Sequence, residues 1–155
     1  MSDRENKPRG ITTAELWAKL FKSSSVKAYL MDDEHIRKLP AFSKYISSLS
    51  EEKNEIPETV IRRGGMESSF GHKLFAGTRN PSRDTVLQLA FGFALDTDET
   101  QQLLKVARVT ALHPRVKRDA VIAYCLQHKY TFMETQELLF DNNLPLIGGK
   151  HNGTR

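Results

Sequence analysis

The sequence predicts an all-α protein, and three observations carry that prediction. Apolar residues cluster at three- and four-residue spacing instead of alternating. The gaps between clusters hold helix start and stop residues, with Ser, Thr, Asp or Pro ahead of many clusters and Gly behind several. The chain of 155 residues is 39% hydrophobic and 27% charged, which suits one compact domain with small extensions.

Each element follows from those signals in order. Thr12 stands three residues before Glu15, the spacing of a capping box, and Leu16, Trp17, Leu20 and Phe21 then make one stripe. Trp17 reads as the core anchor of this helix, which ends near the three serines 23–25. A second piece carries Val26, Tyr29 and Leu30, and a third, after Asp32-Asp33-Glu34, carries Ile36 and Leu39. Pro40 opens a helix whose Phe42, Tyr45, Ile46 and Leu49 fall at i, i+3, i+4 and i+7, running to about Glu52. From Pro57 a short helix closes at Gly64-Gly65, and the next runs from about Glu67 to Phe75 and stops at Gly77. Ser82 caps a helix whose Val86, Leu87, Leu89, Ala90 and Phe93 read as buried. Asp96-Thr97-Asp98 breaks the chain and starts another with Leu103, Leu104 and Ala107. Pro114 is expected to open a longer helix with Val116, Ala120, Val121, Tyr124 and Cys125 inward. Thr131 and Glu134 make a further capping box ahead of Leu138 and Leu139. The segment from Gly148 to Arg155 is polar and reads as a frayed tail.

Composition then narrows the function. Lys and Arg number 23 against 19 Asp and Glu, a formal charge of +4 that permits a polyanionic partner without demanding one. Cys125 is the single cysteine, so neither an intrachain disulfide nor a multi-cysteine zinc site is available within the sequence. His35, His113 and His151 read as a surface residue, a cap and a tail residue. Cys125 and His128 share a helix face, but two ligands do not hold zinc. No glycine-rich phosphate loop follows a strand and no nucleophile has a base and an orienting group, so the expectation is a protein without catalysis, metal or cofactor. Residues 1–10 are charged and lack the apolar run of a signal peptide, and no stretch approaches the ~18 residues that span a bilayer. The expected location is the cytoplasm, away from membrane.

The most specific feature lies between Gly65 and Gly77. Two short helices with a glycine in the tight turn between them make a helix-turn-helix, and the run Gly65-Met66-Glu67-Ser68-Ser69-Phe70-Gly71-His72-Lys73-Leu74-Phe75-Ala76-Gly77 resembles the phage-repressor-like (lambda repressor, XRE-type) family. Leu74-Phe75-Ala76-Gly77 is similar to the end of the lambda repressor's recognition helix. Gly77-Thr78-Arg79-Asn80-Pro81-Ser82 is similar to the family's Gly-x-Arg-x-Pro-Ser. Two positions depart from the pattern: Ile61 stands where the family uses a small alanine, and Gly71 where it buries a branched apolar residue. One residue grew and its facing neighbour shrank, which reads as a volume-conserving exchange.

The resemblance implies a lambda-repressor-like core over residues 40–107, an N-terminal helical extension over 1–39, and a helical pair over 108–147 that either packs on the core or makes a homodimer. It implies double-stranded DNA as partner. Ser68, Ser69 and Lys73, with His72 beside them, would then read base edges in the major groove. Arg62, Arg63, Arg79 and Arg83, with Thr59, would meet phosphates. Glu67 either caps the recognition helix or accepts from a cytosine amino group. The reading is a sequence-specific transcriptional regulator. The alternative is a protein-interaction module that keeps the same scaffold, favoured by Glu67 and the modest charge.

Overall fold

A computed structural model describes residues 12–31 and 41–149. The expected helix at Ile36 and Leu39, the Pro40 helix start, His35 and His151 lie outside the described residues. Among the described residues the structure is all-helical, with nine helices and no strand. They fall into two compact units, divided ahead of Pro40.

The first unit holds α1 (Thr13–Lys22) and α2 (Val26–Leu30). The Thr12 hydroxyl accepts from the Glu15 N–H at 3.2 Å, and the Glu15 carboxylate accepts from the Thr12 N–H at 3.2 Å. Ser25 caps α2 through the Ala28 N–H. Neither helix buries a residue, and Trp17, expected as a core anchor, is 55% exposed and stacks on Phe21 with ring centroids 5.7 Å apart. Among the described residues of this unit, α1 and α2, of ten and five residues, present little opposing surface to the indole.

The second unit contains α3 (Phe42–Glu52), α4 (Pro57–Arg63), α5 (Ser68–Ala76), α6 (Arg83–Gly92), α7 (Thr97–Val106), α8 (Lys117–Gln127) and α9 (Phe132–Asp141). Each contributes to one core: Ile46, Val60, Leu74, Leu89, Leu103, Leu126 and Leu139 are all buried. The amphipathic stripes of α3 and α7 account for their orientation, and α6 is the central helix, buried from Thr85 to Leu87 and from Leu89 to Gly92.

Steric fit positions α4. A Cβ at Gly71 would lie 2.6 Å from both Cγ atoms of Ile61, so the Ile61 side chain fills the space that a larger residue at 71 would take. On the other flank, a Cβ at Gly92 would lie 2.2 Å from the Val60 carbonyl oxygen. Helix α4 is thus approached by α5 and α6 at distances only glycine allows.

The C-terminal helices depart from the expected pattern. Pro114 lies in a turn, with the His113 Nδ1 accepting from the Arg115 N–H at 3.0 Å, and α8 begins only at Lys117 behind Val116. The inward face is Ile122, Cys125 and Leu126, while Val116 is 48% and Tyr124 55% exposed. The run Val121 to Leu126 is apolar at every position, so hydropathy alone does not select a face. A part-buried ion pair selects it: Asp119, 4% exposed, accepts from Nη2 of the half-buried Arg83 at 2.9 Å and from the His113 N–H at 3.0 Å.

A second pair ties the chain's end to α6. Arg118 donates from Nη1 and Nη2 to the two Asp84 carboxylate oxygens at 3.1 and 3.0 Å, and also donates to the carbonyls of Pro145 and Leu146. Gly148, which the sequence places in the tail, donates its N–H to Asp84 at 2.9 Å. Burial alone acts to raise the Asp84 carboxyl. The hydrogen bonds from Arg118 and Gly148 and the nearby Arg118 and Arg83 charges outweigh it and hold the group below its ordinary value.

Two outcomes test this packing. Gly71→Ala gains about 1 kcal/mol of helix propensity but forces Ile61 aside at a cost of about 1 to 3 kcal/mol, so urea unfolding shows a net loss. Ile61→Ala by itself costs about 2 to 5 kcal/mol as a core truncation, and the double variant loses less than the sum of the two single losses, which a double-mutant cycle reports as favourable coupling. For Asp84 the folded-state value is depressed, so its stabilisation is present above the unfolded carboxyl range and lost as pH falls through the folded value. The stability difference between wild type and Asp84→Asn, about 1.5 to 3 kcal/mol at neutral pH, shrinks below about pH 4.

Candidate functional site

The site is built from α4, its turn and α5. Proline at N1 starts α4, where its missing N–H costs nothing, and the Gly65 N–H and Met66 N–H close the far end onto the carbonyls of Arg62 and Ile61 at 3.0 and 3.1 Å. Gly65 takes a φ of +68°, and a Cβ there would lie 2.4 Å from the Phe132 ring of α9. Gln88 of α6 donates its side-chain amide to the carbonyls of Gly64 and Gly65 at 3.2 and 3.3 Å. The turn is therefore gripped from both sides by residues distant in sequence.

Helix α5 starts at Glu67, whose carboxylate accepts from the Ser69 N–H at 3.1 Å and so acts as its cap. It ends at Gly77, in the left-handed region, with the Thr78 N–H returning to the Lys73 carbonyl at 3.0 Å. Leu74 is buried and Phe70 half-buried, and Phe75 packs on Phe93, so this side of α5 faces the core. Ser68, Ser69, His72 and Lys73 are all exposed on the outer side. His72 Nε2 meets a Glu58 carboxylate oxygen of α4 at 2.7 Å. The side chains of Ser68, Ser69 and Lys73 have no hydrogen-bond or ion-pair partner among the described residues.

The residues assigned to phosphates fall into different environments. Arg79 is exposed in the loop after α5 and unpaired among the described residues, and Thr59 is half-buried on α4. Arg63 donates to Glu55 at 2.9 Å, and Arg62 and Arg63 both border a cleft against the end of α6 and the α8–α9 turn. Arg83 is committed to the interior: it donates to the Thr110 and Ala111 carbonyls at 2.8 and 3.1 Å and to Asp119. Its position as the first residue of α6 gives no sign of this, because its partners lie 27 to 36 residues away.

Lys44 was not singled out by the sequence. It is exposed on α3 and shares a shallow groove with Phe75 and Ala76 of α5 and with Glu51. The start of α3 abuts the end of α5, with Ser43 Oγ 2.9 Å from where a Gly77 Cβ would stand. Lys44 lies off the Phe42–Leu49 stripe, and only the contact between the two helices brings it beside α5.

Among the described residues no group of three or more His, Cys, Asp or Glu side chains could hold a metal ion, and no helix is long and apolar enough to cross a membrane. Comparison with family models, with curated proteins and with solved structures gave no match.

The arginines separate in a stability measurement. Arg83→Ala leaves Asp119 buried without its cation and costs about 3 to 5 kcal/mol in urea unfolding. Arg79→Ala stays within about 0.5 kcal/mol of wild type.

Proposed function

We propose that α4, its turn and α5 form a repressor-like helix-turn-helix, and that the protein is a sequence-specific DNA-binding regulator without catalytic activity. The observation that carries this reading is the outer face of α5. Four polar residues, Ser68, Ser69, His72 and Lys73, stand exposed on one short helix whose other side is buried. Such a helix fits the ~12 Å wide major groove, where hydroxyls and an ammonium group find donors and acceptors on base edges. The Glu67 carboxylate is engaged as the cap of α5. Arg79 and Lys44, flanking the C-terminal end of α5, are the phosphate contacts this reading favours, with Thr59 near the start of α4. Arg83 then serves as an internal strut.

A specific observation also favours the interaction-module alternative. Glu58 places a carboxylate in the first turn of α4, 2.7 Å from His72, where a repressor-like docking would bring the DNA backbone close. A protein partner with a basic surface would meet that carboxylate favourably.

Selection of bound fragments from random duplex DNA, followed by affinities for single-base variants of the selected site, separates the two. Retardation of duplex DNA is expected, weakening as salt rises because bound phosphates release counterions. Lys73→Ala changes the preference at one base position by about 1 to 3 kcal/mol, and Arg79→Ala weakens all sequences alike. If no duplex is retained at low salt, the module reading replaces this one.

A further inference from the structure

Beside the turn, and separate from the outer face of α5, lies a cleft of about 480 Å³ between the end of α4, the end of α6 and the α8–α9 turn. Its walls are mostly apolar: Phe91 and Phe132 meet edge to face with centroids 6.1 Å apart, the exposed Tyr130 and Met133 form the rim, and the buried Leu95 and Leu126 lie behind. At the mouth are three cations, Arg62, Arg63 and Lys129, and no acidic residue lines the cleft. Two of the cations are occupied. Arg63 holds Glu55 at 2.9 Å, and Lys129 Nζ donates to the Ala94 carbonyl at 2.7 Å. Arg62 is exposed and has no partner among the described residues.

An apolar pocket with one unpaired guanidinium at its rim defines a ligand chemistry. The volume lies within the range of small-molecule sites, which combine apolar walls with a few polar groups that fix orientation. Arg62 offers a planar fork that matches a carboxylate, and the absence of acids on the lining removes the repulsion that would turn an anion away. A neutral ligand would leave that fork unused, and a cation would be repelled at the mouth. We infer that this cleft binds a small apolar carboxylate, its carboxylate on Arg62 and its hydrocarbon body against Tyr130, Met133 and the accessible edges of Phe91 and Phe132. Phe132 also covers Gly65, so a ligand on this ring touches the residue that packs on the turn ahead of α5. The inference stands on the cleft alone and does not require that the protein bind DNA.

The test uses dodecanoate as probe on the full chain without DNA, by titration calorimetry and amide NMR. One equivalent is expected to bind, with the amides of Ala94, Tyr130 and Phe132 shifting. Arg62→Gln, at an exposed site that leaves folding intact, weakens binding about tenfold or more, as loss of a charge-assisted bond requires. Dodecanol, with the same tail and no charge, shows the same loss. Met133→Glu, which sets a carboxylate on the exposed rim, also weakens it. Any of four results overturns the inference: no binding, equal affinity for dodecanol, indifference to Arg62→Gln, or shifts confined to residues 12–31, where the exposed Trp17–Phe21 stack is an alternative greasy surface. Absence of binding together with a concentration-dependent dimer that Met133→Glu dissociates would instead assign the cleft to a second copy of the chain.

Discussion

The close approach of α5 and α6 to α4 is the constraint on which the rest of the second unit depends. Helix α4 has only seven residues, too few to be stable on propensity, so its position comes from contact. Ile61 fills the volume above Gly71 on one side, and Gly92 admits the Val60 carbonyl on the other. The two fits act differently under change. Ile61 is a side chain that can rotate or be trimmed, whereas a carbonyl oxygen belongs to a backbone that cannot yield without moving the helix. The α4–α5 angle is therefore adjustable by paired substitution, and the α4–α6 spacing is not.

From that contact outward, the geometry of the candidate site is held by residues that never touch its outer face. Phe132 and Gln88 clamp the turn, from α9 and α6. Arg83 with Asp119, and Arg118 with Asp84, pin α8 and the closing segment to the start of α6. Ion pairs of this kind contribute less net stability than their Coulomb attraction suggests, because both charges lose water. Their directional hydrogen bonds nonetheless fix which face of α8 turns inward. The C-terminal helices thus act as a brace behind α4 and α5, and they also form one wall of the Arg62 cleft.

Much of the helix pattern was legible because its signals are local. The capping boxes at Thr12 and Thr131 satisfy orphan N–H groups three residues on, and each is formed; Asp96, read only as a helix start, forms a third with Glu99. Gly77 ends α5 because the left-handed backbone there suits glycine. The contact between Ile61 and Gly71 was legible as well, but only through the resemblance, which set the two positions facing one another. Less was legible where the sequence offers no contrast. The continuous apolar run of α8 hid Ile122 and Leu126 and promoted Tyr124, and the stripe on α1 suggested a buried Trp17, which stands exposed against Phe21.

The sequence by itself determined the capped and glycine-closed ends, at Thr12, Pro57, Gly77, Ser82, Asp96 and Thr131, and the inward faces of α3 and α7, since these follow from hydrogen bonds and side-chain spacing within a few residues. Only the tertiary structure decided what each arginine does. Arg62, Arg63, Arg79 and Arg83 look alike as letters in a basic stretch. Yet Arg83 is bound inside, Arg63 is held by Glu55, Arg62 stands at the mouth of an apolar cleft and Arg79 lies open in a loop. A long charged side chain takes its role from whichever acceptors lie within its reach, and those acceptors come from chain segments that folding alone brings near.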